Sequence, residues 1–220
     1  MSTRKSLALV TLLAIVILIT SPSAAKAQDG QISVGLRANI IGGTGKPVND
    51  TLGFGLFGRY RLSEKWLVGF SVDVASGYDV EKPESFVGLV QEIDVDVIDA
   101  SADSYAFMGW IERDYKRDSS KWGWFWTAGL GINSVSVDDA TGMLEGGGTF
   151  DVSTDAGTEF MLTFSGGIRR QLGSSWALEL ALRFDQHIAD WKILDRLSGA
   201  TGSVDDYSIR GVTLGVVKSF

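Results

Sequence analysis

The sequence predicts an all-β fold, an eight-stranded antiparallel up-and-down β-barrel, from three observations. Apolar and polar residues alternate with a period of two along almost the whole chain after residue 27, which is the pattern of strands whose two faces differ. The alternating segments number eight. Short and long connections between them alternate strictly, which is typical of a barrel that spans a membrane rather than of a soluble sandwich.

Each predicted strand has one apolar face and one mixed, polar face. In the first strand, Ile32, Val34 and Leu36 alternate with Ser33 and Gly35. Most segments have roughly the 9 to 11 residues that a tilted strand needs to cross a bilayer. The eight segments cover residues 32–40, 52–62, 66–74, 105–111, 122–132, 160–168, 176–184 and 212–220.

The connections between these segments fall into two classes. In barrels of the bacterial outer membrane, short turns face the periplasm and long loops face the outside. The predicted turns are centred on residues 63–65, 116–121 and 173–175, and the predicted loops cover residues 41–50, 77–103, 135–157 and 187–206.

The polar faces carry five basic and five acidic residues, which we expect to point into the barrel. A charge that faces lipid near the bilayer midplane costs about 2–4 kcal/mol, so these side chains must turn inward and pair. Because an eight-stranded barrel is only wide enough for side chains to fill, the set predicts a plug instead of an open channel. This predicted interior charge network comprises Arg37, Arg59, Arg61, Asp73, Glu112, Glu159, Arg169, Glu179, Arg183 and Asp185.

The N-terminal residues 1–27 are predicted to be a secretory signal peptide, and residues 28–220 a single barrel domain. Arg4 and Lys5 precede an apolar run, and Ala25 and Ala27 form a small-x-small cleavage site. The chain has no cysteine, which excludes disulfides and thiolate metal sites. After cleavage the chain has 17 basic and 27 acidic residues, and this net charge of −10 argues against binding to nucleic acid.

Three tryptophans follow directly on the three short turns, in the stretches SEKW, SSKW and SSW. Tryptophan suits the level of the lipid headgroups, where aromatic residues form a girdle. Trp66, Trp122 and Trp176 are therefore predicted to form a periplasmic aromatic girdle. Alternation also places Trp124 on the lipid face and Phe125 inside the barrel.

Taken together, the signal peptide, the strand count, the alternation of connections and the ending GVTLGVVKSF resemble the small eight-stranded outer-membrane β-barrels, including the OmpA transmembrane domain and OmpX. The resemblance implies location in the outer membrane, contact with its lipids and lipopolysaccharide, a monomeric state and no cofactor. It also implies that Phe220 is the assembly signal read by the barrel-assembly machinery. Val212, Leu214 and Val216 fit that signal, and Lys218 departs from it.

Enzymatic chemistry is not predicted. In the outer-membrane lipid A deacylases, which are also barrels, a histidine is followed two residues later by a nucleophilic serine. Here the only histidine, His187, is followed by Ala189, so the nucleophile is missing. We therefore expect no catalytic residue and interpret His187 as a surface residue at a strand end.

The long connections contain 18 of the 27 acidic residues and only four basic ones. Asp94, Asp96 and Asp99 have the oxygen ligands that calcium prefers, but the stretch lacks the spacing of an EF-hand loop. We therefore predict a solvated acidic rim and no metal site.

The sequence thus predicts a non-enzymatic barrel that serves envelope structure or surface interaction through acidic loops, with an external ligand left open. The first alternative is an OmpW-like carrier of small hydrophobic molecules, which would require an apolar lumen and a lateral opening. A lipid A-modifying barrel enzyme is a further alternative, which Ala189 disfavours, and a secreted lipocalin-like barrel, in which the apolar faces would point inward, is another.

Overall fold

In the computed structural model, the described residues are 30–44, 51–79, 101–116, 121–143, 149–197, 199, 201–204 and 206–220. The predicted signal peptide and the acidic stretch with Asp94, Asp96 and Asp99 lie outside these residues. No helix among the described residues is long and apolar enough to cross a membrane.

Eight long strands form a closed antiparallel barrel, which confirms the predicted fold class. The barrel strands are β1 (Ile32–Thr44), β2 (Thr51–Arg61), β3 (Trp66–Asp79), β4 (Ser101–Lys116), β5 (Trp122–Val137), β8 (Thr158–Gln171), β9 (Trp176–Ile188) and β12 (Tyr207–Ser219). The order around the barrel is β1-β12-β9-β8-β5-β4-β3-β2, and β1 closes it by pairing with β12 from Ser33↔Ser219 to Thr44↔Ser208.

The barrel is apolar on its outer surface and polar inside. Large apolar side chains on alternate positions are exposed, as in β9, where Leu178, Leu180 and Leu182 point outward between the buried Ala177, Glu179 and Ala181. Such a surface is stable only when lipid covers it. The predicted assignment of the faces therefore holds, and the lipocalin-like alternative, with its apolar faces inward, is wrong.

Two of the predicted loops are not irregular. Between β5 and β8 the chain forms β6 (Ala140–Met143) and β7 (Thr149–Asp155), and between β9 and β12 it forms β10 (Trp191–Asp195) and β11 (Thr201–Val204). These four short strands make a second sheet in the order β11-β10-β7-β6. The long connections predicted over 135–157 and 187–206 are present, and their hairpins continue to pair beyond the barrel as a second sheet, which the sequence analysis does not predict.

The second sheet, which we call the cap, has one apolar face. In β10, Trp191 and Ile193 are buried while Lys192 and Leu194 are exposed. The buried face packs with residues at the long-connection end of the barrel, including Val135. The cap therefore belongs to the same core as this end of the barrel.

Candidate functional site

The short-turn end of the barrel interior is filled by an ion-pair network that we call the lower lattice. Glu112 accepts hydrogen bonds from Arg59 Nη1 at 3.0 Å and from Arg169 Nη2 at 2.5 Å. Glu179 Oε1 bonds the same two arginines, at 2.5 Å from Arg59 Nη2 and from Arg169 Nε. Asp114 joins the lattice through Arg169 and Arg61, at 3.1 and 3.0 Å. These side chains are at most 14% exposed, so the charges neutralise one another away from solvent.

Aromatic rings fill the space between these guanidinium groups. Arg169 lies 4.7 Å from the centroid of the Phe125 ring, and Arg59 lies 5.5 Å from that of Phe57. Phe125 is 5% exposed, so it points inward as its place in the alternation predicts. A cation over an aromatic face gains about 0.5–2 kcal/mol, the larger figure applying where water is excluded.

A second group of charges, which we call the middle layer, crosses the barrel at half height. Asp73 bonds Arg37 Nε at 2.9 Å and Arg183 Nη1 at 2.7 Å, and Arg183 Nε also bonds Asp185 at 2.9 Å. Gly55 gives this layer its space, because a Cβ atom on Gly55 would lie only 1.8 Å from Asp73 Oδ1. The middle layer joins strands β1, β3 and β9 across the lumen.

The third group, the cap cluster, is built around Glu159 and uses no arginine. The Glu159 carboxylate accepts hydrogen bonds from the Tyr207 hydroxyl at 2.9 Å, from Asn133 Nδ2 at 3.4 Å and from the indole Nε1 of Trp191. His187 Nδ1 lies 2.8 Å from the same carboxylate. One buried carboxylate thus links the cap, through Trp191, to barrel strands β5, β8, β9 and β12.

The prediction that His187 lies on the surface is wrong. The side chain is 2% exposed, and its ring stacks on Tyr207 with centroids 4.5 Å apart. Ala189, two residues later, packs against the core of the cap. The prediction failed because the predicted strand ends at residue 184, whereas β9 continues to Ile188, and in this longer strand His187 shares the inner face with Asp185.

Two small cavities lie between the three groups of side chains. One of about 50 Å³ lies between the lower lattice and the middle layer, with Glu179 and Arg183 in its lining. Another of about 40 Å³ lies between the middle layer and the cap cluster, with Asp185 and His187 in its lining. A water molecule needs a cavity of roughly 10–15 Å³, so each of these two cavities has room for a few water molecules.

The ten predicted interior charges all lie on the inner face, but the structure divides them into separate groups. All except Glu159 lie in the lower lattice and the middle layer, whereas Glu159 pairs with no arginine in the described part of the chain. The prediction missed Asp114, although it follows Glu112 at the spacing of two residues that marks the inner face. It also missed Tyr207, which precedes the predicted last strand over 212–220, and Trp191, whose contact with Glu159 depends on the path of the cap.

The three tryptophans of the predicted girdle each begin a barrel strand at the short-turn end, and each faces a basic residue on the neighbouring strand. Trp66 pairs in register with Arg113, Trp122 with Arg170 and Trp176 with Lys218. The three cations lie 5.0, 5.2 and 5.5 Å from the respective ring centroids.

The last residues of the chain complete this end of the barrel. Phe220 N donates to Ile32 O at 2.9 Å, and Lys218 Nζ lies 5.2 Å from the Phe220 ring. Lys218 is 5% exposed despite its outward position, because the rings of Trp176 and Phe220 cover it.

A closed barrel with an apolar belt outside and paired charges inside defines an outer-membrane β-barrel protein. Residues 11–220 match the family model described as outer membrane protein beta-barrel domain. The chain belongs to this family, which confirms the resemblance stated above and the location in the outer membrane, among its lipids.

Solved structures of three outer-membrane proteins are similar in fold. OprG from Pseudomonas aeruginosa is 13% identical with a TM-score of 0.57, over 88% of this chain and 97% of that one. A major outer membrane protein from Thermus thermophilus is 14% identical with a TM-score of 0.53, over 88% and 100%. Neisserial surface protein A is 14% identical with a TM-score of 0.52, over 89% and 100%. No curated protein matches the sequence.

Proposed function

We propose that this protein is a sealed, non-enzymatic barrel that serves the outer membrane through its structure and its external surface. The observation that carries the proposal is the sequence of three side-chain groups along the lumen, the lower lattice, the middle layer and the cap cluster. Paired charges occupy two levels and a buried tryptophan the third, and the two cavities between these groups, of about 50 and 40 Å³, have room for a few waters each. Such an interior supports a plug and opposes passage of solutes.

The surface at the long-connection end of the barrel, which we expect to face the outside of the cell, is accessible to external partners. Five aspartates are exposed among the described residues at the long-connection end, against the three exposed basic residues Lys192, Arg196 and Arg210. Arg196 is itself paired with Asp139 at 2.7 Å and with Asp151 at 3.2 Å. The acidic surface favours basic partners, or lipopolysaccharide phosphates through bridging divalent cations. The exposed aspartates are Asp138, Asp139, Asp155, Asp190 and Asp206.

The proposal includes three further roles for residues at the short-turn end. Trp66, Trp122 and Trp176 anchor the barrel at the headgroup level, and Phe220 acts as the signal for the barrel-assembly machinery. The barrel works as a monomer, because its strands are paired all the way round and leave no edge for a second copy.

Permeation assays test the sealed interior. Liposomes that contain the folded barrel should not swell in iso-osmotic sugar solutions and should not take up a fluorescent hydrophobic probe faster than empty liposomes. Swelling would show a channel, and probe uptake would show the carrier function that resembles OmpW; either result would overturn the proposal.

The role of the surface is tested by binding to cell-surface material. The refolded barrel should capture a ligand from whole cells, and a variant with the five exposed aspartates replaced by asparagine should capture less. Equal capture by the two proteins would remove the acidic surface from the proposal.

A further inference from the structure

Arg113 is a basic residue on the lipid-facing side of the barrel. It lies in β4 between Ile111, which is 46% exposed, and Tyr115, and it alternates with the buried Glu112 and Asp114. Its position near the end of the strand places it at the short-turn end, close to the edge of the apolar belt. A charge here costs about 0–1 kcal/mol, against 2–4 kcal/mol at the midplane.

Aromatic rings surround the Arg113 guanidinium. It lies 5.0 Å from the centroid of Trp66 and 5.2 Å from that of Tyr115. Trp66 meets Trp126 edge to face at 5.8 Å, and Tyr115 stacks on Trp124 with centroids 3.7 Å apart. We call these four rings the aromatic platform.

The structure gives Arg113 no counter-ion among the residues that it describes. Its neighbours Glu112 and Asp114 point inward, where they are bound by Arg59, Arg61 and Arg169. The Nε atom of Arg113 is buried and has no hydrogen-bond partner. The five arginines inside the barrel, in contrast, each bond at least one carboxylate.

We propose that Arg113 and the aromatic platform bind the phosphate group of a membrane phospholipid. The planar fork of a guanidinium matches a phosphate oxygen pair, and the platform fixes that fork in one orientation. Tryptophan and tyrosine prefer the level of the headgroups, which is where the phosphates lie. Below them, Trp126 stacks on Phe164 at 6.4 Å and provides an apolar surface for the acyl chains. Because an apolar surface for acyl chains lies beside the guanidinium, the site favours a lipid over a free anion.

Solution NMR of the full barrel in maltoside micelles, which contain no phosphate, tests this site. Titration with dihexanoyl phosphatidylglycerol should shift the Arg113 Nε–H signal and the Trp66 and Trp126 indole signals along one saturable curve. Loss of one charge-assisted hydrogen bond weakens binding about tenfold or more, and this is the change expected for Arg113→Gln. Arg113→Lys should fall between the two, because it keeps the charge and loses the fork.

Two controls separate the site from general charge and from folding. Lys192→Gln removes one positive charge from the cap and should leave the lipid curve unchanged. Tyr115→Leu keeps the arginine and removes one ring of the platform, so it should also weaken lipid binding. This variant tests the site even if Arg113→Gln does not fold. The proposal is overturned if the wild type shows no saturable shift, if Arg113→Gln binds as tightly as the wild type, or if inorganic phosphate binds as tightly as the lipid.

Discussion

The lower lattice and the cap cluster occupy the two ends of one lumen and are held together by different chemistry. In the lower lattice, two glutamates and two arginines bond one another reciprocally, and every charge has an opposite neighbour. In the cap cluster, one carboxylate is held by an indole, a phenol, an amide and an imidazole. The lattice belongs to the barrel wall, whereas the cap cluster needs a separate sheet to supply Trp191. We therefore expect damage to the lattice to destabilise the whole barrel and damage to the cap cluster to act locally.

The largest expected effect comes from breaking the lattice. Glu112→Ala removes the carboxylate that bonds both Arg59 and Arg169 and leaves two buried cations with one fewer partner. Breaking a buried ion pair in this way costs about 3–5 kcal/mol. Urea unfolding in lipid vesicles should show this loss in the free energy of unfolding.

A charge-balanced double variant is the control for that experiment. Arg59→Ser combined with Glu179→Ser removes one cation and one anion together, so it should cost less than the sum of the two single changes. If Glu112→Ala unfolds at the same urea concentration as the wild type, the lattice does not stabilise the barrel.

Glu159→Gln tests the cap cluster and should have a smaller, local effect. The amide keeps the shape of the side chain but loses acceptor capacity for Trp191, Tyr207 and His187, at a cost of about 1–3 kcal/mol. Because Lys192 and Arg196 lie in the cap, limited trypsin digestion should cut this variant faster while the barrel stays folded. Uniform loss of barrel stability without faster cleavage would contradict the local role of the cluster.

Gly55→Ala tests the middle layer, which separates the two ends. The new Cβ atom would lie 1.8 Å from Asp73 Oδ1, so the bonds from Arg37 and Arg183 to Asp73 must shift. Overpacking of this kind costs about 1–3 kcal/mol in urea unfolding. Gly173→Ala is the matched control, because no atom lies within 4 Å of its Cβ position. Equal stability of the two variants would show that the middle layer adapts freely.

The smallest effect is expected at the outer surface of the cap. Arg196 bonds Asp139 and Asp151, but its side chain is 45% exposed. Solvent screens such pairs, so Arg196→Gln should leave both the unfolding curve and the trypsin sensitivity at Lys192 unchanged. Faster digestion at Lys192 would show that this exposed pair holds the cap closed.

The two ends of the lumen also differ in how far the sequence predicts them. The lower lattice follows from strands that alternate in steps of two, so Arg59, Glu112, Arg169 and Glu179 were assigned to the interior from the pattern alone. Their individual pairings depend on the stagger of strands around the barrel, which alternation does not contain.

The cap cluster could not be predicted from the sequence. Trp191 and Ile193 alternate with polar residues, but a strand of five residues is too short to stand out within a long polar connection. A predicted strand that ends at residue 184 leaves His187 in the following connection, although in the observed strand it shares the inner face with Asp185. The contact of Trp191 with Glu159, in contrast, is made by chain that returns over this end of the barrel, which the pattern within β8 does not contain.

Single-channel recording tests the sealed lumen most directly. The wild-type barrel is compared with a charge-balanced variant in which Arg59, Asp73, Glu179 and Arg183 are replaced by serine, with and without Trp191→Ala, after heat-modifiable migration has shown that each is folded. The account predicts that the wild type carries no steady current and that the combined variant, which lacks these four charges and Trp191, conducts. A steady current through the wild type, or silence of the folded combined variant, would contradict it.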